Sequence, residues 1–367
     1  MPARSTILTL HRWTGVAFAL FLLLQGLSGA AMVFRDEAGR LLHGSALRVA
    51  AEGAVLPAAD LLEAVRAAHP GMTVVRIDYP PGPGHAYLFR LRDGGSLRLA
   101  SVDPHSGAVL RSAPLAAWPV ELATQWHDNM LLGGNGPLLV GVTGCGLLAM
   151  ALSGPLLWWP GRRRLRQGFT VNLRTGSYRA VLDLHRVAGA VLAAVLGLSA
   201  LTGIGIAWRE PLLPLLGAEP FPAPAAVPGD GPLLPLDAAV AVAREATGGL
   251  KIRNLRLPGG RGDVVHLYME DTAAPQPRAA RQLWVDGRTG AVLADYSAAM
   301  VPAGNRFLDW MLGIHSGAVG GLPGRLLVLA AGLGLAGLAG TGFWIWRRKR
   351  GFRRKLTTRK PAPAKAA

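Results

Sequence analysis

Cysteine is almost missing from these 367 residues. The single one, Cys145, stands inside an apolar run, which excludes a disulfide framework, an iron–sulfur cluster, a structural zinc site and covalent haem attachment through CxxCH. Acidic residues are scarce as well, 22 Asp and Glu against 39 Lys and Arg, for a formal charge of +17. Such an excess suits nucleic acid when it covers one face. Here it is concentrated in 162–166 and in 347–360, each directly behind an apolar run. The positive-inside rule accounts for both clusters and puts them in the cytoplasm, so no nucleic-acid partner is expected. No GxGxxG follows a strand pattern and no flavin domain is appended, so NAD(P)H is not expected to bind this chain directly. The long apolar runs hold no acidic residue, which leaves a transporter without an ion-coupling site. Nor is there a recognisable triad or carboxylate pair for acid–base or nucleophilic chemistry.

What is there is a duplication. The stretch LHRWTGVAFALFLLLQGLSGAAMVFRDE, from Leu10, lies ungapped over LHRVAGAVLAAVLGLSALTGIGIAWRE, from Leu184. His11 meets His185, Arg12 meets Arg186, Gly15 meets Gly189, Leu27 meets Leu201, Gly29 meets Gly203 and Arg35 meets Arg209. Each copy exceeds the roughly 20 apolar residues that cross a bilayer core. The first copy is also too long for the apolar part of a signal peptide, and its duplicate in mid-chain cannot be one. Half of the chain is hydrophobic, too much for an ordinary soluble protein and too little for membrane spans alone.

The expected organisation is four transmembrane helices in a tandem repeat, with two α+β domains outside the membrane. Residues 10–36 form the first span. Residues 50–119 form the first outer domain, one helix followed by a small antiparallel sheet. Residues 120–160 form an outer segment and the second span, and 161–183 a cytoplasmic loop. Residues 184–210 form the third span, after which Pro-rich sequence from Pro211 to Pro235 reads as an extended connector. The second outer domain covers 233–300, residues 305–346 carry the last outer segment and fourth span, and 347–367 are a basic tail. SVDPHSGAVL at Ser101 and WVDGRTGAVL at Trp284 end the two outer domains as near copies. Charge places both termini in the cytoplasm, and two repeats of one orientation are related by an axis along the membrane normal.

Four of the nine histidines fall in matched pairs at span ends. His11 and His185 lie on the inner side, His127 and His315 on the outer. An axis that relates the partners sets each pair at one depth, facing one flat ligand. Haem b suits that geometry, because two neutral imidazoles can hold its iron from opposite faces in a dry slot. Two haem b groups, one above the other, make an electron path across the membrane. Gly15, Gly189, Gly317 and Gly320 leave room for the rings, and Arg12 and Arg186 are candidate partners for propionates. The remaining histidines, His43, His69, His85, His105 and His266, have no matched partner and read as surface or structural residues. Trp13, Trp158, Trp159, Trp208, Trp344 and Trp346 flank spans and read as interfacial belts.

LHRWTG, LHRVAG, the paired VDPHSGAVL and VDGRTGAVL, and LGIHSGAVGGLPGR before the last span together resemble the PepSY-associated transmembrane family of bacterial inner-membrane proteins. The likeness covers nearly the whole chain. It implies an iron-regulated membrane protein or a di-haem ferric-siderophore reductase, with iron ligation by His11, His127, His185 and His315. In that reading the substrate is a ferric siderophore in the periplasm, the surroundings are membrane lipid, and the electron donor is quinol or a cytoplasmic reductase. WHDNMLLGGNG departs from IHSGAVGG by its bulkier run and by Asp128 and Asn129. The alternative is a haem-free PepSY membrane module that binds peptides or a partner protein and regulates it.

Overall fold

The computed structural model describes residues 2–357 apart from 175, 229–230, 258–262, 271–279 and 298; the end of the basic tail, 358–367, lies outside them. The chain opens with α1 (Pro2–Val33), α2 (Arg35–Leu42), α3 (Gly44–Leu47) and α4 (Ala58–Ala68). Four strands follow, β1 (Thr73–Asp78), β2 (Tyr87–Asp93), β3 (Ser96–Val102) and β4 (Val109–Pro114). Then come α5 (Pro119–Asn129), α6 (Gly136–Trp158), α7 (Leu165–Gly168), α8 (Ser177–Ala207), α9 (Arg209–Leu216) and α10 (Leu236–Thr247). Strands β5 (Ile252–Arg256), β6 (Val264–Glu270), β7 (Ala280–Asp286) and β8 (Val292–Tyr296) lead to α11 (Ala303–His315) and α12 (Gly321–Thr357).

The chain divides into two compact units. One holds Met1–Val33, Trp126–Trp208 and Pro323–Ala367, the other Phe34–Gln125 and Arg209–Leu322. In the first unit, α1, α6, α8 and α12 are each long and apolar enough to cross a membrane. They pack as a ring. His11 of α1 bonds Ser153 of α6, and Gly144 of α6 abuts Ile204 of α8. His185 of α8 bonds Thr341 of α12, and α12 returns to α1 through Gly26 and Gly332. At that last crossing a Cβ on Gly26 would stand 2.6 Å from the Gly332 carbonyl oxygen, so only glycine lets the two backbones approach this closely. Leu22, Leu196, Ala331 and Leu335 fill the centre.

The second unit carries an eight-stranded antiparallel sheet in the order β4-β3-β2-β1-β5-β6-β7-β8. The sheet runs through both polar segments without a break, with Ile77 of β1 opposite Leu255 of β5 at its centre. Helices α4 and α10 lie on the face where strand alternation puts Ile77, Phe89, Leu91, Leu255, Leu267 and Leu283, in one shared core. Asp237 of α10 reaches across to cap α4, accepting from the Ala58 and Ala59 amides at 2.8 and 2.9 Å.

Between Pro211 and Pro235 the extended connector is partly replaced by α9. Pro211 falls in its first turn, where a missing N–H costs nothing, and Leu213 is buried. Two of the flanking tryptophans make specific contacts within the helical unit. Trp158 is buried and donates to Gly168 O at 2.9 Å, and Trp208 lies over Gly141.

Candidate functional site: paired histidines in the helical unit

His11 sits in the third turn of α1, its Nδ1 2.7 Å from Ser153 Oγ on α6. That hydroxyl donates its own proton to Ala149 O at 2.6 Å, the back-bond that serine favours inside an apolar helix. Having given up its one proton, Ser153 can only accept from the imidazole. His11 therefore carries its hydrogen on Nδ1 and keeps the Nε2 lone pair free. His185 on α8 is held in the same way. Its Nδ1 is 2.9 Å from Thr341 Oγ1, and Thr341 donates to Gly337 O at 2.7 Å. Glycine backs both rings: Gly154 faces His11 Cε1 at 3.7 Å and Gly342 faces His185 Cε1 at 3.2 Å, measured from the Cβ each would carry. The two histidines lie within electrostatic range of one another.

This is the arrangement a metal-bound imidazole needs. A second hydrogen bond fixes its tautomer and ring plane while the other nitrogen points to the metal. Among the described residues no three His, Cys, Asp or Glu side chains come together as ligands for a metal ion alone; a macrocycle that supplies four nitrogens itself needs only the two imidazoles.

The adjacent arginines differ. Arg186 is drawn to the buried Asp183 at 3.5 Å, and Asp183 is also held by Arg179 at 2.9 Å. The first copy has Thr9 in that place. Arg12 Nε is buried without a hydrogen-bond partner among the described residues, and its guanidinium carbon lies 5.5 Å from the Trp13 ring centroid. An unneutralised guanidinium beside the imidazole is a fitting partner for a propionate; Arg186 already has a carboxylate. Gly15 and Gly189 face Met150 and Leu338.

His127 lies in the last turn of α5, with Nδ1 3.1 Å from Ser28 Oγ, and Ser28 donates to Gln25 O at 3.2 Å. Its tautomer is thus set by the same logic as the inner pair. A Cβ at Gly29 would meet its Cε1 at 2.9 Å, so the ring needs glycine there. Just beyond, Met130 and Leu131 take φ of 51° and 62°. Two consecutive side-chain-bearing residues in the left-handed region store strain that surrounding structure must hold. They break the helix between His127 and the second span. His315 closes α11 in the other unit, where Ser316 Oγ donates to Leu312 O at 2.8 Å and Gly317 takes φ 72°.

Ser28, Ser153 and Thr341 escaped the sequence reading. The shift along the chain that carries His127 to His315 also carries Ser153–Gly154 to Thr341–Gly342, a signal hidden by the Ser-to-Thr change. The same shift carries Glu121 to Asp309, and both are salt-bridged to the matched arginines: Arg35 to Glu121 at 2.7 Å and Arg209 to Asp309 at 3.0 Å.

Of the unmatched histidines, four are tied into the fold. His69 bonds Ser112, His85 bonds Arg40, His105 bonds the Ala54 carbonyl and His266 bonds Gln282. His43 is the exception.

Four membrane-length helices with part-buried, oriented histidines, joined to an antiparallel sheet unit, define a multi-pass membrane protein with a β-bearing domain. The chain belongs to the family described as the PepSY-associated TM region, whose model matches residues 8–349. No curated protein matches it.

Proposed function

We propose that this protein is a di-haem membrane reductase of the iron-regulated type, passing electrons to ferric siderophores in the periplasm for iron uptake. In this reading it lies in the bacterial inner membrane as a tandem repeat with cytoplasmic termini. The sheet-bearing unit is periplasmic. His11 and His185 hold one haem b, His127 and His315 the other. The observation that carries the reading is the matched pair of Nδ1-to-hydroxyl bonds, each of which leaves an Nε2 lone pair unused in an apolar helical unit. Unused lone pairs of this kind are costly in a span unless something takes them.

When bound, each haem supplies one-electron chemistry. The chain's own residues do the rest. Ser153 and Thr341 fix the tautomer and orientation of the inner imidazoles, and Ser28 does so for His127. Arg12 offers a counter-charge for a propionate. The apolar residues around α1 and α8 exclude water, which lowers the reorganisation that charge movement demands. Electron transfer to a chelate needs no general acid, base or nucleophile, and reduction weakens the hold of hard oxygen ligands on iron. Quinol or a cytoplasmic reductase would supply the electrons.

The test is to purify the protein, count haem by pyridine haemochrome, reduce it anaerobically and add ferric chelates while following the haem bands. Two haems per chain, reoxidised by ferric siderophores, are expected. A folded protein without haem would favour the regulatory module instead. Haems reoxidised by quinone but by no chelate would make it an electron-transfer cytochrome with another acceptor. A tag at Ala54 found in the cytoplasm would overturn the orientation.

A further inference from the structure

In the sheet-bearing unit, α2, the loop after it, the end of β1 and the start of α5 border a partly open cleft with a cavity volume of roughly 110 Å³. Its walls are apolar at Leu47, Leu88, Pro80, Ala86 and Val120. A cavity of that scale suits one small organic molecule and not a drug-sized ligand.

The charged groups around it sort into committed and uncommitted. Glu121 accepts from Arg35 and from the buried Arg90, and Asp78 accepts from Arg90 and Arg76. Both lining carboxylates deeper in the cleft are therefore used up. Arg40 has no carboxylate partner among the described residues. Its Nη1 donates to His85 Nε2 at 3.0 Å and its Nε to Asp36 O at 3.3 Å, contacts that position the guanidinium without neutralising it.

Besides Tyr79 with its hydroxyl, two neighbouring wall residues carry buried polar atoms with no hydrogen-bond partner among the described residues, His43 Nε2 and Trp118 Nε1. Their rings lie against each other at 4.9 Å. Behind Trp118, the Arg111 guanidinium carbon is 5.1 Å from the ring centroid, and its Nε is likewise buried and unpartnered. Burial, and then the Arg111 charge, push the His43 pKa below its ordinary value, so the ring is neutral at pH 7 and can donate from one nitrogen. Unpaired buried donors are rare enough in native proteins to call for a partner.

We propose that this cleft binds an organic carboxylate on a small apolar body, its charge met by Arg40 and its oxygens by the His43 and Trp118 donors. A single uncommitted lining cation flanked by neutral donors matches one negative charge. A phosphate dianion would bring two charges to that one uncommitted cation, with the exposed Asp36 beside it. Haem has no part in this cleft, whose ligand is independent of the electron-transfer reading.

The test uses the full chain in phosphatidylcholine nanodiscs and isothermal titration calorimetry. Salicylate, the probe, is expected to bind. Its neutral amide, salicylamide, and inorganic phosphate should each bind at least tenfold more weakly. Arg40→Gln should weaken salicylate about tenfold or more, the effect of losing a charge-assisted hydrogen bond; the position is part-exposed, so the fold tolerates it. His43→Leu should weaken it several-fold, with thermal unfolding confirming an intact unit. No salicylate binding at millimolar concentration overturns the proposal. So does salicylate affinity unchanged by Arg40→Gln, or phosphate binding as tightly as salicylate.

Discussion

Replacing Ser153 by Ala removes one oxygen atom from α6 and frees His11 to take either tautomer. In the native arrangement the hydroxyl proton goes to Ala149 O and the lone pair receives Nδ1–H. Deleting the hydroxyl leaves that N–H unpaired in an apolar setting, a loss of about 1–3 kcal/mol. Partners of this kind typically contribute 10–100-fold to ligand affinity, roughly 1.4–2.7 kcal/mol, so the two estimates agree. Thr341→Val is the near-isosteric counterpart at His185. The assay is the rate at which haem passes from the purified protein to excess apomyoglobin. On the proposed di-haem reading, each variant should lose one haem at least tenfold faster than the parent, with the other unchanged. In a His11→Ala background Ser153→Ala should add nothing, because a hydroxyl that acts only through the imidazole has no effect once the imidazole is gone. Parental release rates for both haems, or a Ser153→Ala effect that persists without His11, would refute the account.

Glu121→Gln withdraws a charge from between Arg35 and the buried Arg90. Breaking a buried pair in this way costs about 3–5 kcal/mol, and a lowered melting temperature of the purified protein should report it. Gly26→Leu drives a side chain into the Gly332 carbonyl, and the expected outcome is a poorly assembled helical unit, seen as aggregation on size exclusion while a Gly134→Ala control at an open position elutes normally. Burial opposes ionisation of Asp286, but amides of Thr289, Val227 and Arg288 and the Thr289 hydroxyl outweigh it and hold its pKa at about 2. Because the folded value lies below the ordinary 3.8, the carboxylate stabilises the fold fully above about pH 4. That contribution fades as pH falls towards 2. Acid unfolding of the parent should therefore be steeper between pH 4 and 2 than that of Asp286→Asn, and equal slopes would contradict it.

Much of this was readable from residues alone. The four spans follow from length and composition, and the matched LHR motifs located His11 and His185 before any contact was known. Ser153 and Thr341 stayed hidden, because a hydroxyl within an apolar run is ordinary until its neighbour across the helix pair is seen. Continuity of the sheet was equally invisible. Nothing in the alternation of Val74–Asp78 or Ile252–Arg256 says that these strands pair with each other, since strand pattern fixes which face is buried and not which neighbour is chosen. His43 looked like any unmatched histidine. Only the tally of hydrogen-bond partners sets it apart from His69, His85, His105 and His266.

The junction of β1 with β5 also sets a schedule. Strand β1 leaves the ribosome long before β5, and both α6 and α8 must be inserted in the membrane between the two. Throughout that interval β1 is an open sheet edge beside a half-built core, the condition in which chains aggregate or pair wrongly. Biogenesis of this protein therefore includes an obligatory waiting state, whose lifetime is set by translation and insertion and not by the speed of strand pairing. Slowing synthesis between codons for Asp78 and Ile252 lengthens that wait, and the yield of folded protein becomes a measure of how well the cell guards an unfinished sheet.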